Sequence, residues 1–78
     1  MGKYHDALTW AEKAVAASPN NPEIIDTLAT VYQGLGRYDE AMEQYELCLK
    51  LEKEQEASEE SIHEIEEKIA ELKALMKR

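Results

Sequence analysis

Apolar residues between Glu23 and Gln33 (Ile24, Ile25, Leu28, Val31 and Tyr32) recur at steps of three and four, the spacing of one helix face. Ser18-Pro19-Asn20-Asn21-Pro22 precedes them as a dense turn signal, with Asn21 suited to cap a helix and Pro22 to its first turn. Gly34-Leu35-Gly36 follows and allows a tight reversal. Beyond it, Asp39 is placed to cap a second helix that carries Ala41, Met42, Tyr45, Cys48, Leu49 and Leu51 at helical spacing. No Pro or Gly occurs after Gly36, so this helix is expected to run past Leu51 toward Glu56. The pattern is that of a helical hairpin, and residues 4–17 read as another copy of its latter half.

The last segment, 57–78, reads as one more helix. Ser58 or Ser61 can cap it, Glu59 and Glu60 suit the positive end of its dipole, and Lys73, Lys77 and Arg78 the negative end. Ile62, Ile65, Ile69, Leu72 and Met76 make its apolar stripe, widened by Leu75, and Glu64 and Lys68 stand at pairing distance on the outer surface. Two heptads are short for a coiled coil, so the stripe is expected to cap the preceding helices. Ser58 and Ser61 among glutamates favour a break near 57–60 over one helix continuous from Asp39.

A shift of 34 residues lays Gly2 on Gly36, Tyr4 on Tyr38, Ala7 on Ala41, Leu8 on Met42, Glu12 on Glu46, Ala14 on Cys48 and Val15 on Leu49. With this period the chain resembles the tetratricopeptide repeat. Over residues 22–53, Ile25, Leu28, Ala29 and Tyr32 stand at the positions of the family's Trp, Leu, Gly and Tyr. Gly36, Tyr38, Ala41 and Tyr45 match directly, and Cys48 takes a small-residue position. Residues 1–19 hold the matching half repeat through Gly2, Tyr4, Ala7, Ala14 and Pro19, with Ala11 in place of the aromatic. The fold class expected is therefore all-α: about four antiparallel helices in a solenoid fragment, with repeats over 1–56 and a capping helix over 57–78. Lys53 stands where the family has Pro, and the first repeat lacks its leading helix.

The resemblance implies a protein-interaction or scaffold module that holds a peptide in a groove lined by the first helix of each repeat. Here that surface is Glu23, Asp26, Thr27, Thr30 and Gln33, without the Lys, Arg and Asn by which some members clamp acidic C-termini. It would prefer a basic protein or peptide. The alternative is a homo-oligomer, most simply a homodimer. Without a leading helix, 4–17 is expected to expose Leu8, Trp10, Ala11 and Val15, which would bury themselves between copies together with Ile69 and Leu72 of the C-terminal helix.

Charge narrows the classes further. Seventeen acidic against nine basic residues give a net charge of −8, unsuited to nucleic acid or an anionic membrane. Residues 1–21 are neutral, whereas 22–53 and 54–78 each carry −4. No apolar run approaches the roughly 20 residues of a membrane span, and the single cysteine excludes an intrachain disulfide, so the expected location is cytoplasmic. No phosphate-binding loop or nucleophile motif appears, so no enzyme and no cofactor is expected. His5-Asp6 and His63 with Glu67 read as solvated surface rather than metal or acid–base chemistry, and Cys48 as a small core residue.

Overall fold

The computed structural model describes residues 2–77 and contains four helices: α1 (Gly2–Ala17), α2 (Pro22–Gly34), α3 (Tyr38–Glu54) and α4 (Glu59–Met76). The α2 boundaries follow from backbone chemistry. Asn21 Oδ1 accepts the Glu23 N–H at 3.0 Å, and Pro22 follows where no N–H is needed. At the other end, Gly36 takes φ +78°, the Gly36 N–H donates to the Gln33 carbonyl and the Arg37 N–H to the Tyr32 carbonyl. This pair of reverse bonds closes a helix around a left-handed residue.

The helix α3 starts two residues earlier than Asp39 would set it. Arg37 occupies the cap position without a side-chain bond to the backbone, and Asp39 lies inside the first turn. The reversal at Gly36 places the Arg37 carbonyl to accept the Ala41 N–H at 3.0 Å, which begins the helical ladder before Asp39 is reached. The Arg37 guanidinium instead bonds both oxygens of Glu40 at 2.7 Å and lies over the Tyr32 ring.

The far end of α3 uses the same reversal with an unusual residue. Ala57 N–H donates to the Glu52 carbonyl, Glu56 N–H to the Lys53 carbonyl, and Glu56 itself sits at φ +56°. A side-chain-bearing residue there costs roughly 1–2 kcal/mol. Glu56→Gly is therefore expected to stabilise the fold by about 0.5–1 kcal/mol, after the greater flexibility of unfolded glycine is allowed for. A urea titration followed by circular dichroism reads the gain, and no gain would mean that Glu56 is held without strain. The Ser58 hydroxyl then caps α4 by accepting the Ser61 N–H at 3.2 Å.

The core is one cluster. Leu8 and Ala11 of α1, Ile25, Leu28, Ala29, Val31 and Tyr32 of α2, Ala41, Tyr45, Cys48 and Leu51 of α3, and Ile65, Ile69 and Leu72 of α4 are all buried. Alanines at the crossings (Ala11, Ala29 and Ala41) are fully covered, which lets the helices approach closely while Tyr45 and Ile25 fill the space beside them. The all-α repeat expected from the sequence is the fold observed.

Two sequence expectations need correction. The Leu8–Trp10–Ala11–Val15 set is not exposed as a group: Leu8 and Ala11 are buried, Val15 is partly buried, and Trp10 alone stands clear at 60% exposure. The helix α2 packs on the side of α1 that carries Tyr4, Leu8 and Ala11, with the half-exposed Tyr4 ring against Gly34, and leaves Trp10 on a separate side. On α4, Ile65, Ile69 and Leu72 form the buried stripe, but Met76 projects into solvent in the last turn.

Candidate peptide-binding face

Glu23, Asp26, Thr27, Thr30 and Gln33 lie on one side of α2, set there by the helical period that turns Ile25, Leu28 and Tyr32 into the core. Their side chains are unequally available. Thr30 Oγ1 stands 3.2 Å from the Tyr45 hydroxyl, which donates to Gln33 Oε1 at 3.1 Å, so Tyr45 of α3 ties down two of the five. Thr27 and Thr30 each donate to the carbonyl four residues back in α2. Glu23 is exposed and has no side-chain partner among the described residues.

Asp26 has a partner the sequence did not indicate. Lys68 Nζ reaches across from α4 to both Asp26 oxygens, at 3.0 and 2.8 Å, instead of pairing with Glu64 on its own helix. Lys68 lies beside the buried stripe of α4 rather than on its outer side, so docking against α3 brings it to α2. The carboxylate raises the Lys68 pKa against the opposing effect of burial.

Behind this ion pair, α2, α3 and α4 enclose a recess of about 170 Å³ lined by Glu23, Asp26, Glu52, Glu64 and Lys68 over Ile65. Glu52 is pushed above the usual carboxylate range, first by burial and then by Asp26 and Glu64. A carboxyl shifted this way favours the fold when protonated. Its contribution is present at acid pH and is lost as pH rises through the folded-state pKa, so Glu52 opposes folding at neutral pH. Glu52 was not singled out from the sequence, and Glu64 only as a surface partner for Lys68. The readable signal for Glu52 was its position on the Tyr45–Cys48 stripe, where a carboxylate has no place unless it lines a space.

Cys48 is buried beside this recess and donates from Sγ to the Pro22 carbonyl at 3.2 Å. Desolvation, with Glu52 and Asp26 adding to it, pushes the thiol up to about 12. It is therefore expected to resist iodoacetamide at pH 8 in the folded chain and to react once urea unfolds it, which intact mass reads directly. Labelling at equal rates in both states would mean that α4 opens freely.

The remaining sequence candidates stay on the surface. His63 Nε2 meets Glu67 Oε1 at 2.9 Å with both side chains well exposed. His5 and Asp6 are exposed on α1. Among the described residues no group of three His, Cys, Asp or Glu side chains is placed to hold a metal ion. None of the helices described is long and apolar enough to cross a membrane.

Residues 1–58 match the family model described as anaphase-promoting complex, cyclosome, subunit 3. The chain is also similar to the cellulose synthase operon protein C of Pseudomonas fluorescens (strain SBW25), 45% identical over 42 residues that make up 54% of this chain. It spans 3% of the length of that relative. No solved structure matches it.

Proposed function

Because the chain belongs to the repeat family described as anaphase-promoting complex, cyclosome, subunit 3, and is a tetratricopeptide-type repeat protein, we propose that it is a non-catalytic interaction module that holds a basic peptide segment of a protein partner. The observation that carries this reading is the acidic side of α2, where Glu23 is exposed and Asp26 is in an ion pair with a cation from another helix. Lys68 occupies both Asp26 oxygens, so Glu23 is the carboxylate on this side left to meet a partner's cation. The net charge of −8 adds long-range attraction for such a segment and speaks against nucleic acid. A buried, unreactive single thiol is in keeping with a cytoplasmic setting.

The test is binding of short lysine- and arginine-containing peptides against acidic counterparts of equal length, measured by fluorescence anisotropy at low and high salt. Binding confined to the basic peptides, weakened by salt and by Glu23→Lys, supports the reading. Equal binding of both sets refutes it.

The second reading is self-association, favoured by Trp10, which is 60% exposed on α1. Trp10 would form the centre of the contact, whereas Val15 packs against the core. Leu8, Ala11, Ile69 and Leu72 are buried within the single chain and would join only if helices were exchanged between copies. Light scattering over a hundredfold dilution separates the cases. A persistent dimer abolished by Trp10→Ala favours this reading, and a monomer throughout removes it.

A further inference from the structure

We propose that the junction of α2, α3 and α4 makes the docking of α4 responsive to pH: a proton on Glu52 tightens α4 onto α3, and loss of that proton loosens it. The response belongs to the chain itself and does not depend on which partner it holds.

Three features put α4 under the control of this junction. Its one substantial helix interface among the described residues is with α3. It joins α3 through the short segment after Glu54, where Glu56 sits at φ +56°. Beyond the buried Ile65, Ile69 and Leu72, it is tied to α2 by Lys68, whose ammonium meets both Asp26 oxygens.

The junction holds more negative than positive charge. Glu23 and Asp26 line it from α2, Glu52 from α3, and Glu64 and Lys68 from α4, with the buried Cys48 thiol beside them. Lys68 is the one cation in this set, and Asp26 engages it. Glu52 is half-buried as a whole, but its Oε2 atom is covered and has no hydrogen-bond partner among the described residues. An ionised carboxylate with a covered oxygen and no donor is unfavourable, and the charges of Asp26 and Glu64 add to the cost. A proton removes the charge and turns the group into a hydrogen-bond donor among acceptors. Undocking gives relief by another route, since Glu52 then meets water and Glu64 departs with its helix.

The ionised form thus favours the open arrangement and the protonated form the closed one. With α4 in place, burial first and then Asp26 and Glu64 shift Glu52 upward from the ordinary glutamate value of 4.5. Its contribution to docking is complete below that value and is lost as pH rises through the docked-state pKa. Lys68 is shifted upward, against burial, by its bond to Asp26, so that bond persists through the neutral range. Burial of three large apolar side chains outweighs one partly solvated carboxylate. The helix therefore stays docked at neutral pH, and the proton sets how often it opens.

Amide hydrogen exchange of the full chain between pH 5 and pH 8 tests this, read at Ile65, Ile69 and Leu72 of α4 and at Ile25 and Leu28 of α2. Rates are divided by those of the unfolded sequence, which removes the intrinsic effect of pH on exchange. The α4 amides are expected to open about three- to tenfold more often at pH 8 than at pH 5, with a smaller change in α2. Glu52→Gln should give at pH 8 the low opening frequency of the parent at pH 5. Glu46→Gln on α3 and His63→Gln on α4, both at exposed positions, remove titratable groups elsewhere and should keep the response. If Glu52→Gln disturbs the far-ultraviolet spectrum, Glu64→Gln decides, and it should reduce the response and move it to lower pH. A response that persists in Glu52→Gln, or is unaltered in Glu64→Gln, would overturn the proposal. So would one lost in either control variant, one equal in α2 and α4, or α4 opening that ignores pH.

Discussion

Leu72→Ala is expected to lower stability by about 2–5 kcal/mol, the range for removing a buried leucine side chain and leaving a cavity. Leu72 is fully buried and lies in the part of the core that α4 shares with α3. A 78-residue chain stands at the low end of the usual 5–15 kcal/mol of domain stability, so this loss is a large fraction of the total. Two probes in one urea titration show what is lost. Far-ultraviolet circular dichroism follows all four helices, and the fluorescence of Trp10 follows α1, the helix farthest along the chain from the substitution. Coincident midpoints shifted to lower urea would show one cooperative unit. A shift in dichroism alone would show α4 leaving while α1 and its neighbours stay folded. An unchanged curve would refute docking of α4 through Leu72.

Ala41→Leu acts by the opposite mechanism and tests the 34-residue register at the same time. Ala41 is fully covered near the start of α3, where the chain's most extensive helix contact brings α2 alongside. Three more carbon atoms there must push the helices apart, at a cost of about 1–3 kcal/mol or more. The corresponding residue of α1 is Ala7, which is only partly buried because no helix packs on α1 as α2 packs on α3. Ala7→Leu is therefore expected to change stability by about 0.5 kcal/mol or less, as at a surface position. Thermal melts of the two variants beside the parent check the pair. Equal losses at both positions would mean that the two helices do not occupy equivalent places with different surroundings.

The contrast between these alanines also marks what could be read from the chain beforehand. The boundaries of α2 were legible because Asn21, Pro22 and Gly36 act through the backbone of their own neighbourhood. The end of α3 was legible only as a region, since its reversal is carried by Glu56, a residue with no preference for a left-handed conformation. The expected cap at Asp39 failed because the geometry set by Gly36 starts the ladder at the Arg37 carbonyl, upstream of any side-chain capping preference. For the candidate site, helical spacing was enough to group Glu23, Asp26, Thr27, Thr30 and Gln33 on one side of α2. It could not reveal that Tyr45 engages Thr30 and Gln33, or that Lys68 crosses 42 positions of sequence to reach Asp26. Those contacts depend on how α3 and α4 dock, and docking direction is not contained in the periodicity of either helix.

The three substantial interfaces join α1 to α2, α2 to α3 and α3 to α4, each pair adjacent in sequence. Assembly can therefore proceed by short loop closures, the kind of topology that folds in microseconds to milliseconds rather than seconds. The same arrangement grades the molecule in time once it is folded. The middle pair, α2 and α3, is braced on both flanks, whereas α1 and α4 each lean chiefly on one neighbour. Amide protons in the middle pair should outlast those of the outer helices in deuterated solvent, with opening that starts at either end and rarely in the centre. The acidic side of α2 thus belongs to the slowest-opening part of the chain, while α4, which completes the recess beside it, belongs to the faster part.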